Sequence, residues 1–163
     1  MEKTLILIKP DGVKRGLIGE ILSRLERTGL KIVAMKMVHI DKEFAGKHYT
    51  YEDIAVRRGE KVRNQLIDFI TSAPVIAAVI EGVESIAVVR KLCGDTEPKK
   101  SPPGTIRGDY CHHSYTYCNE RDIAIQNVIH ASANSEDAER ELPLWFNAEE
   151  FVTYKKVDEE CHF

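Results

Sequence analysis

The chain has 163 residues, of which 43% are hydrophobic and 30% charged, with a net charge of −3. This length predicts one domain over residues 1–163, and the composition is ordinary for a soluble globular protein. The negative net charge argues against a protein that coats nucleic acid generally. The longest apolar run, residues 75–80, is too short for a membrane span. The N-terminal segment, residues 1–8, is too short for a signal peptide. The four cysteines (Cys93, Cys111, Cys118, Cys161) lack CxxC spacing and predict free thiols in a reducing cytoplasm.

The first forty residues alternate between strand-like and helix-like patterns. Residues 4–8 form a continuous apolar run, which predicts a strand buried on both faces. A turn sequence, Lys-Pro-Asp-Gly, follows and places Lys9 at the strand exit. Apolar residues at helical spacing over residues 17–28 predict a helix that Gly29 ends. Residues 30–40 return to strand character.

The middle of the chain continues this alternation less regularly. Asp41 is the predicted N-cap of a short helix. Residues 51–61 are charged and indicate a loop or an irregular helix, followed by a helix near residues 66–72. Residues 75–81 predict a third strand, and residues 83–93 predict the helix after it.

The last third carries longer irregular segments. Residues 95–109 contain three prolines and two glycines and predict a long ordered loop, whereas residues 110–121 are aromatic and polar without a period. Residues 147–150 indicate a last short helix, and residues 151–157 a tail lying on the domain. The order β-α-β-α-β-α-β indicates an α/β sandwich whose sheet is covered by helices on one face.

One stretch near the end predicts a histidine beside a carboxylate. Residues 127–129 indicate a short buried strand that leaves His130 at its end, and Asn134 is a predicted helix N-cap. Four extended residues from His130 to Asn134 span about 13 Å, and seven helical residues from Asn134 to Glu141 span about 10 Å. If the chain folds back at Asn134, the imidazole and the carboxylate end at nearly the same level along the strand. The carboxylate would fix the tautomer and leave the other ring nitrogen free as base or nucleophile. A structural histidine is the more frequent alternative, and spacing leaves it open.

Other polar residues support a phosphate site. Two guanidiniums and an ammonium near one site would bind a polyanion such as a nucleoside triphosphate. There is no Walker A sequence and no GxGxxG, so side chains must bind the phosphates. Together with a nucleophilic histidine, this suggests phosphoryl transfer through phosphohistidine. The candidates are Lys9, Arg90, Thr96, Arg107, Asn127, His130 and Glu141.

Four motifs carry a family resemblance over most of the chain. They are T-L-I-L-I-K-P-D-G-V-K-R-G-L-I-G-E-I (4–21), P-G-T-I-R-G-D (103–109), N-V-I-H-A-S (127–132) and E-x-x-L-W-F (141–146). With these motifs the chain closely resembles the nucleoside diphosphate kinases, and archaeal members most. The resemblance implies a fold of the α/β class, more specifically a ferredoxin-like α+β sandwich. In this fold, helices pack on a four-stranded antiparallel sheet. The resemblance implies ping-pong transfer of the terminal phosphoryl group from ATP to a nucleoside diphosphate.

The resemblance also implies a role for each matching residue. His130 would be phosphorylated, through Nδ1, while Glu141 orients the other nitrogen and Ser132 hydrogen-bonds that carboxylate. Mg²⁺ would arrive with the nucleotide, so no protein metal site is required. The implied nucleotide-binding residues are Lys9, Arg90, Thr96 and Arg107 at the phosphates, Asn127 with Lys9 at the sugar hydroxyl, and Tyr49 beside the histidine.

The chain departs from the family pattern at three places. Val62 stands where an aromatic usually stacks on the base, so another residue, such as Tyr51, could replace it. Residues 109–127 are longer by about one and a half helical turns than in the commonest members. Ala131 and Ala133 stand where glycine and an acidic residue are common.

Several alternatives remain open at this point. A non-catalytic module that binds nucleotides or nucleic acid is the rival function, although nothing specific indicates nucleic acid. Cys111, His112, His113 and Cys118 could form a metal site, but their spacing fits no standard zinc pattern. The remaining histidines, His39, His48 and His162, are interpreted as surface or packing residues. The family resemblance implies a homo-oligomer, commonly a hexamer, with the proline-rich loop and the tail as expected subunit contacts.

Overall fold

A four-stranded sheet forms the centre of the computed structural model, which describes residues 1–162 and the side chains of residues 1–160. Its strands are β1 (Glu2–Ile8), β2 (Lys31–Val38), β3 (Val75–Gly82) and β4 (Ile129–Ala131), and their order is β2-β3-β1-β4. All neighbouring strands run antiparallel. The predicted α+β fold with a four-stranded antiparallel sheet is confirmed.

The helices are α1 (Pro10–Lys14), α2 (Ile18–Glu26), α3 (Lys42–His48), α4 (Val56–Arg58), α5 (Glu60–Ile70), α6 (Ser85–Cys93), α7 (Ile106–Tyr110), α8 (Tyr115–Arg121), α9 (Ser135–Trp145) and α10 (Glu159–His162). A π-helical turn (Tyr51–Ala55) and two 3-10 turns (Pro98–Lys100 and Ala148–Glu150) complete the set. In the part of the chain that the structure describes, no helix combines the length and apolar character of a membrane span.

Helices cover both faces of the sheet. Leu5 and Leu7 of β1 face a core formed with α3, α5 and α9, whereas Ile6 and Ile8 face a second core formed with α2, α6 and α7. The expectation of helices on one face was therefore wrong. The apolar run of β1 already indicated this result, because side chains alternate along a strand and all four of these residues are fully buried.

The strand before the histidine lies two residues later than predicted. Val128 adopts a positive φ of 55°, and its N–H donates to Asp11 Oδ2 at 3.0 Å. Pairing with β1 therefore starts only at Ile129, and His130 lies in the middle of β4 opposite Leu7. The following helix also extends beyond the predicted end, through Pro143 to Trp145.

The segment predicted as a loop, residues 95–109, runs into α7, and the segment without a period contains α8. Both helices are defined by their N-caps. Thr105 Oγ1 accepts from Gly108 N at 3.0 Å, and Ser114 Oγ accepts from Tyr117 N at 3.2 Å. Caps of this kind satisfy the free amides of the first turn. These short helices start at a local hydrogen bond, which hydrophobic periodicity does not report.

Two irregular regions match their predictions. The stretch 51–61 is an irregular helix: a π-helical turn leads into α4, and Gly59, at φ 91°, precedes α5. The tail lies on the domain, because Val152 N donates to Val33 O at 2.8 Å and the Tyr154 hydroxyl donates to Ile32 O at 2.9 Å. A further helix, α10, follows it, so the turn at Ala148–Glu150 is not the last helix. The side chains of Cys161 and His162, for which a free thiol and a packing role were expected, lie outside the described side chains.

Candidate active site

His130 and Glu141 meet as their spacing predicted. Asn134 caps α9, accepting from Asp137 N at 2.8 Å, and so fixes the helix that returns Glu141 to β4. His130 Nε2 lies 3.0 and 3.1 Å from the two oxygens of the Glu141 carboxylate. The Ser132 hydroxyl donates to Glu141 Oε2 at 2.7 Å. The carboxylate is thus held from two sides, and the imidazole is oriented by it.

Glu141 is ionised in this setting although it is buried. Burial raises the pKa of a carboxyl, but the neighbouring imidazole of His130 and the hydrogen bonds from His130 and Ser132 outweigh it and lower the pKa of Glu141 to about 2. An ionised carboxylate accepts the Nε2 proton of a neutral imidazole. The lone pair of His130 is then on Nδ1.

His48 is a site residue that the sequence analysis assigned to surface or packing. It is 3% exposed, and its ring centroid lies 4.7 Å from that of His130 at an interplanar angle of 84°. Trp145 Nε1 donates to His48 Nδ1 at 3.2 Å. Burial lowers the pKa of His48 to about 3, so this ring is neutral. The available signal was the i, i+4 spacing from Phe44, whose ring also packs on Trp145.

Lys9 and Asn127 form a buried pair at the exit of β1. Lys9 Nζ donates to Asn127 Oδ1 at 2.7 Å, and Asn127 Nδ2 donates to Thr96 O at 2.8 Å. Burial and the nearby Arg107 lower the pKa of Lys9 to about 8. This chain of hydrogen bonds connects three of the predicted phosphate- and sugar-binding positions before any ligand arrives.

Arg107 is held rigidly from α7. Its guanidinium donates to Gly94 O at 2.9 Å and to Ile129 O at 2.7 Å, and the residue is 4% exposed. Nε of this side chain is buried without a hydrogen-bond partner among the described residues. Arg90 lies in the last turn of α6, where it approaches the same cleft. Two guanidiniums therefore reach one wall of the cleft.

A cleft of about 260 Å³ brings most of the predicted residues together. It contains eight of them, and it also contains charged residues that the sequence analysis did not select, mainly from the π-helical turn, α4 and α9. Ser132 is fully buried behind Glu141 and does not line the cleft. The eight predicted residues are Lys9, Tyr49, Arg90, Thr96, Arg107, Asn127, His130 and Glu141; the others include Asp53, Arg57, Arg58, Asp137 and Arg140.

Val62 lies outside this cleft. It lines a separate groove of about 380 Å³ between α5 and α8, which we call the α5–α8 groove. Arg58, Leu66 and Ile125 line both the groove and the cleft, so the two spaces adjoin. Tyr51, the suggested replacement for a stacking aromatic, is 51% exposed and is not among the residues that line either space.

The electrostatics of the cleft favour an anion with several charges. Lys9, Arg90 and Arg107 line the cleft together with Arg58. Two further arginines of the cleft are ion-paired, Arg57 with Asp53 of the π-helical turn and Arg140 with Asp137 of α9, so these pairs add no net charge. Fixed guanidiniums and an ammonium are well suited to phosphate oxygens.

The residues fit a metal ion brought by a ligand better than a resident one. Among the described residues, His48, His130 and Glu141 form the one set of three metal-type ligands, with ligand atoms within 4.8 Å of one another. Two imidazoles suit zinc more than Mg²⁺, and both are engaged in hydrogen bonds. Mg²⁺ prefers oxygen ligands and usually binds through substrate phosphates.

The alternative metal site at Cys111, His112, His113 and Cys118 does not assemble within the described residues. Cys118 Sγ lies 3.7 Å from His113 Nδ1, while Cys111 and His112 do not join them in a set of three. His113 Nδ1 instead accepts from Gln126 N at 3.4 Å. The three cysteines whose side chains are described are free thiols.

Comparison with known proteins decides the family. A family model described as nucleoside diphosphate kinase matches residues 2–151. The chain belongs to the nucleoside diphosphate kinase family. The nucleoside diphosphate kinase of Borreliella burgdorferi is 58% identical over 163 residues, covering 100% of this chain and 98% of that relative. The enzyme of Pyrococcus furiosus is 52% identical over 159 residues, covering 96% of this chain and 90% of the relative.

Solved structures of family members superpose closely on this nucleoside diphosphate kinase fold. A transition-state mimic of the enzyme from Borrelia burgdorferi, with bound vanadate and ADP, has a TM-score of 0.97 at 58% identity and covers 99% of this chain and 96% of that chain. A halophilic enzyme from Halobacterium salinarum in complex with CDP has a TM-score of 0.82 at 40% identity, covering 98% and 97%. This chain is accordingly a phosphotransferase, and ping-pong transfer through a phosphohistidine is general in its family. The rival interpretation as a non-catalytic binding module is not retained.

Proposed function

We propose that His130 carries the phosphoryl group in this enzyme. The observation that carries the proposal is the contact of Nε2 with the Glu141 carboxylate at 3.0 Å, inside a cleft lined by basic side chains. The Nδ1 lone pair attacks the γ-phosphorus of ATP, the bond from that phosphorus to the bridging β-oxygen breaks, and ADP leaves. A nucleoside diphosphate then attacks the phosphohistidine, and its terminal oxygen takes the phosphoryl group.

The basic residues act by position and charge. Phosphoryl transfer passes through a loose transition state with charge spread over equatorial oxygens, so placed cations supply most of the catalysis. We assign the phosphates to Lys9, Arg90, Thr96 and Arg107. Asn127 is assigned, with Lys9, to the sugar hydroxyl, because their hydrogen bond presents an ammonium and an amide at one point. Tyr49 supports the histidine through His48, since the rings of His48 and Tyr49 lie 4.7 Å apart.

The carboxylate and hydroxyl behind the histidine complete the catalytic group. As Nδ1 forms a bond to phosphorus, the imidazole ring becomes cationic. Glu141 stabilises that charge through Nε2, and Ser132 holds Glu141 in place through its 2.7 Å hydrogen bond. Mg²⁺ would be held by the nucleotide phosphates, and when bound it neutralises part of their charge.

We further propose that the site accepts many nucleosides, with Val62 contributing to the base-binding groove next to the phosphates. Support comes from two relatives that bind different bases: the Borrelia structure holds ADP and the Halobacterium structure holds CDP. The apolar lining around Val62 contacts the faces of a base, which all bases share.

A homo-oligomer, a hexamer by family resemblance, is proposed for the assembly. β2 is an edge strand whose Met35 and Met37 are 55% and 57% exposed. The tail bonds to the Ile32 and Val33 carbonyls and to the Lys31 ammonium, all in the first half of β2. An open, apolar edge favours pairing with another copy. We place the protein in the cytoplasm, which agrees with the three free thiols whose side chains are described.

The function is tested by incubating the protein with radiolabelled ATP in the absence of a diphosphate. The protein should gain an acid-labile phosphoryl group and release ADP in equal amount. His130→Ala should lose the label, whereas His39→Ala, an exposed histidine bonded to Thr71 O, should keep it. Full labelling of His130→Ala would move the nucleophile to another residue.

A further inference from the structure

The longer segment after residue 109 builds one wall of the α5–α8 groove. Val62 and Leu66 line it from α5, while Tyr115 and Cys118 line it from α8, with Ile123 and Ile125 following. The groove, at about 380 Å³, is in the range of ligand pockets, and it continues into the phosphate cleft through shared residues. A mostly apolar slot that adjoins a phosphate site is suited to a nucleobase.

The α8 wall is anchored at both ends. At its first residue, Tyr115 N donates to Glu97 Oε1 at 2.9 Å, and Glu97 directly follows Thr96 of the cleft. At its other end, Asp122 adopts a positive φ of 57° and accepts from Gln65 Nε2 of α5 at 2.6 Å. Lys61 of α5 pairs with the same carboxylate at 2.6 Å. The groove therefore has a defined width, with Tyr115 tied to the loop that carries Thr96.

We propose that Tyr115 supplies the aromatic face on which the nucleobase stacks, across the groove from Val62. The proposal rests on the proposed function of the cleft. It moves the stacking ring from α5, where this chain has Val62, to α8 on the opposite wall. Tyr115 is half-buried and lines the groove, whereas Tyr51 and Tyr117 are 51% and 41% exposed and are not among its lining residues. Stacking uses the π-face that every base presents, so Tyr115 strengthens binding without selecting one base.

The test compares a nucleotide with an analogue that lacks the base. In wild type, kcat/KM for phosphoenzyme formation should be higher with ATP than with ribose 5-triphosphate. Tyr115→Ala should lower the value for ATP by about 10-fold, from the usual size of base–aromatic stacking, and leave that for ribose 5-triphosphate unchanged. The loss should be in KM rather than in kcat, because the ring lies in the groove and not beside His130.

Two further variants of Tyr115 distinguish the effect of its aromatic ring from the effect of its volume, and a variant of Tyr117 controls for a general change in α8. Tyr115→Phe should retain wild-type values, while Tyr115→Leu, which keeps an apolar side chain in the groove, should lose the preference for ATP. Tyr117→Ala removes a ring from the same helix that packs on His113 and Arg121, and it should behave as wild type. Thermal unfolding of each variant identifies any loss of folded protein, and Tyr115→Leu then carries the test if Tyr115→Ala is unstable.

The outcomes separate this proposal from the function itself. Equal losses with ATP and with ribose 5-triphosphate, or unchanged ATP kinetics in Tyr115→Leu, would overturn the stacking role. Failure of the wild-type protein to take a phosphoryl group from ATP would instead overturn the proposed function of the cleft.

Discussion

Replacing Glu141 with glutamine removes the negative charge behind His130 while keeping the size of the side chain. The carboxylate accepts from His130 Nε2 at 3.0 Å and from Ser132 Oγ at 2.7 Å. A hydrogen bond to a charged group contributes about 1.5–3 kcal/mol, against about 0.5–1.5 kcal/mol for a neutral one. The imidazole becomes cationic as Nδ1 bonds to phosphorus, so this difference, about 1.2 kcal/mol between the midpoints of the two ranges, applies to the transition state. The rate of phosphoenzyme formation should fall about 8-fold.

Rapid-quench labelling with ATP measures that rate directly. Glu139→Gln, an exposed residue on the same helix, is the matched control and should keep the wild-type rate. Ser132→Ala should slow labelling less than Glu141→Gln, because it removes one support of the carboxylate and not the charge. A wild-type rate in Glu141→Gln would refute the electrostatic role of the carboxylate. A loss as complete as in His130→Ala would show that the carboxylate does more than orient and stabilise the ring.

Three further predictions concern pH and packing. The Lys9 ammonium, with a pKa of about 8, loses its proton as pH rises through that value, so a kcat/KM profile should decline above about pH 8, and a flat profile to pH 10 would contradict this. His48 has a folded pKa of about 3, below its ordinary 6.5, so its contribution to stability is complete above pH 6.5 and is lost as pH falls toward 3. In urea unfolding over that window, His48→Phe should show a pH slope shallower by up to about 1.4 kcal/mol per pH unit, and an unchanged slope would contradict the shift. Gly108→Ala should lower the free energy of unfolding by about 1–3 kcal/mol in the same assay, because its methyl group would overlap the Pro102 carbonyl oxygen. Gly19→Ala is the control: Gly19 lies in α2 and is open to solvent, so the substitution should stabilise the protein slightly. Similar free energies of unfolding for both variants would contradict the clash at Gly108.

The sequence predicted the centre of the site because its geometry is local. Glu141 follows His130 by eleven positions, and a capped helix after a strand fixes their distance. The buried strand run at residues 5–8 was equally informative, since it already required cover on both sheet faces. These features depend on short-range spacing and alternation, which can be read along the chain.

Features that depend on distant contacts were not predictable in this way. His48 comes next to His130 only because α3 and α9 both pack on the same sheet face, where Trp145 supplies its hydrogen bond. Likewise, α8 depends on a cap at Ser114 and on bonds to Glu97 and α5, and its residues show no hydrophobic period. The α5–α8 groove results from that packing. The sequence therefore shows that Val62 stands at the position of the usual aromatic, but it does not show that α8 forms the opposite wall of the groove.

Phosphorus-31 NMR of the phosphoenzyme, combined with peptide mapping, distinguishes the ring nitrogens and the residue that carry the phosphoryl group. After incubation with ATP and removal of nucleotide, the protein should carry one phosphoryl group, on Nδ1 of His130, while Nε2 remains with Glu141. A signal from an Nε2-phosphohistidine, or a labelled peptide that lacks residue 130, would contradict this assignment.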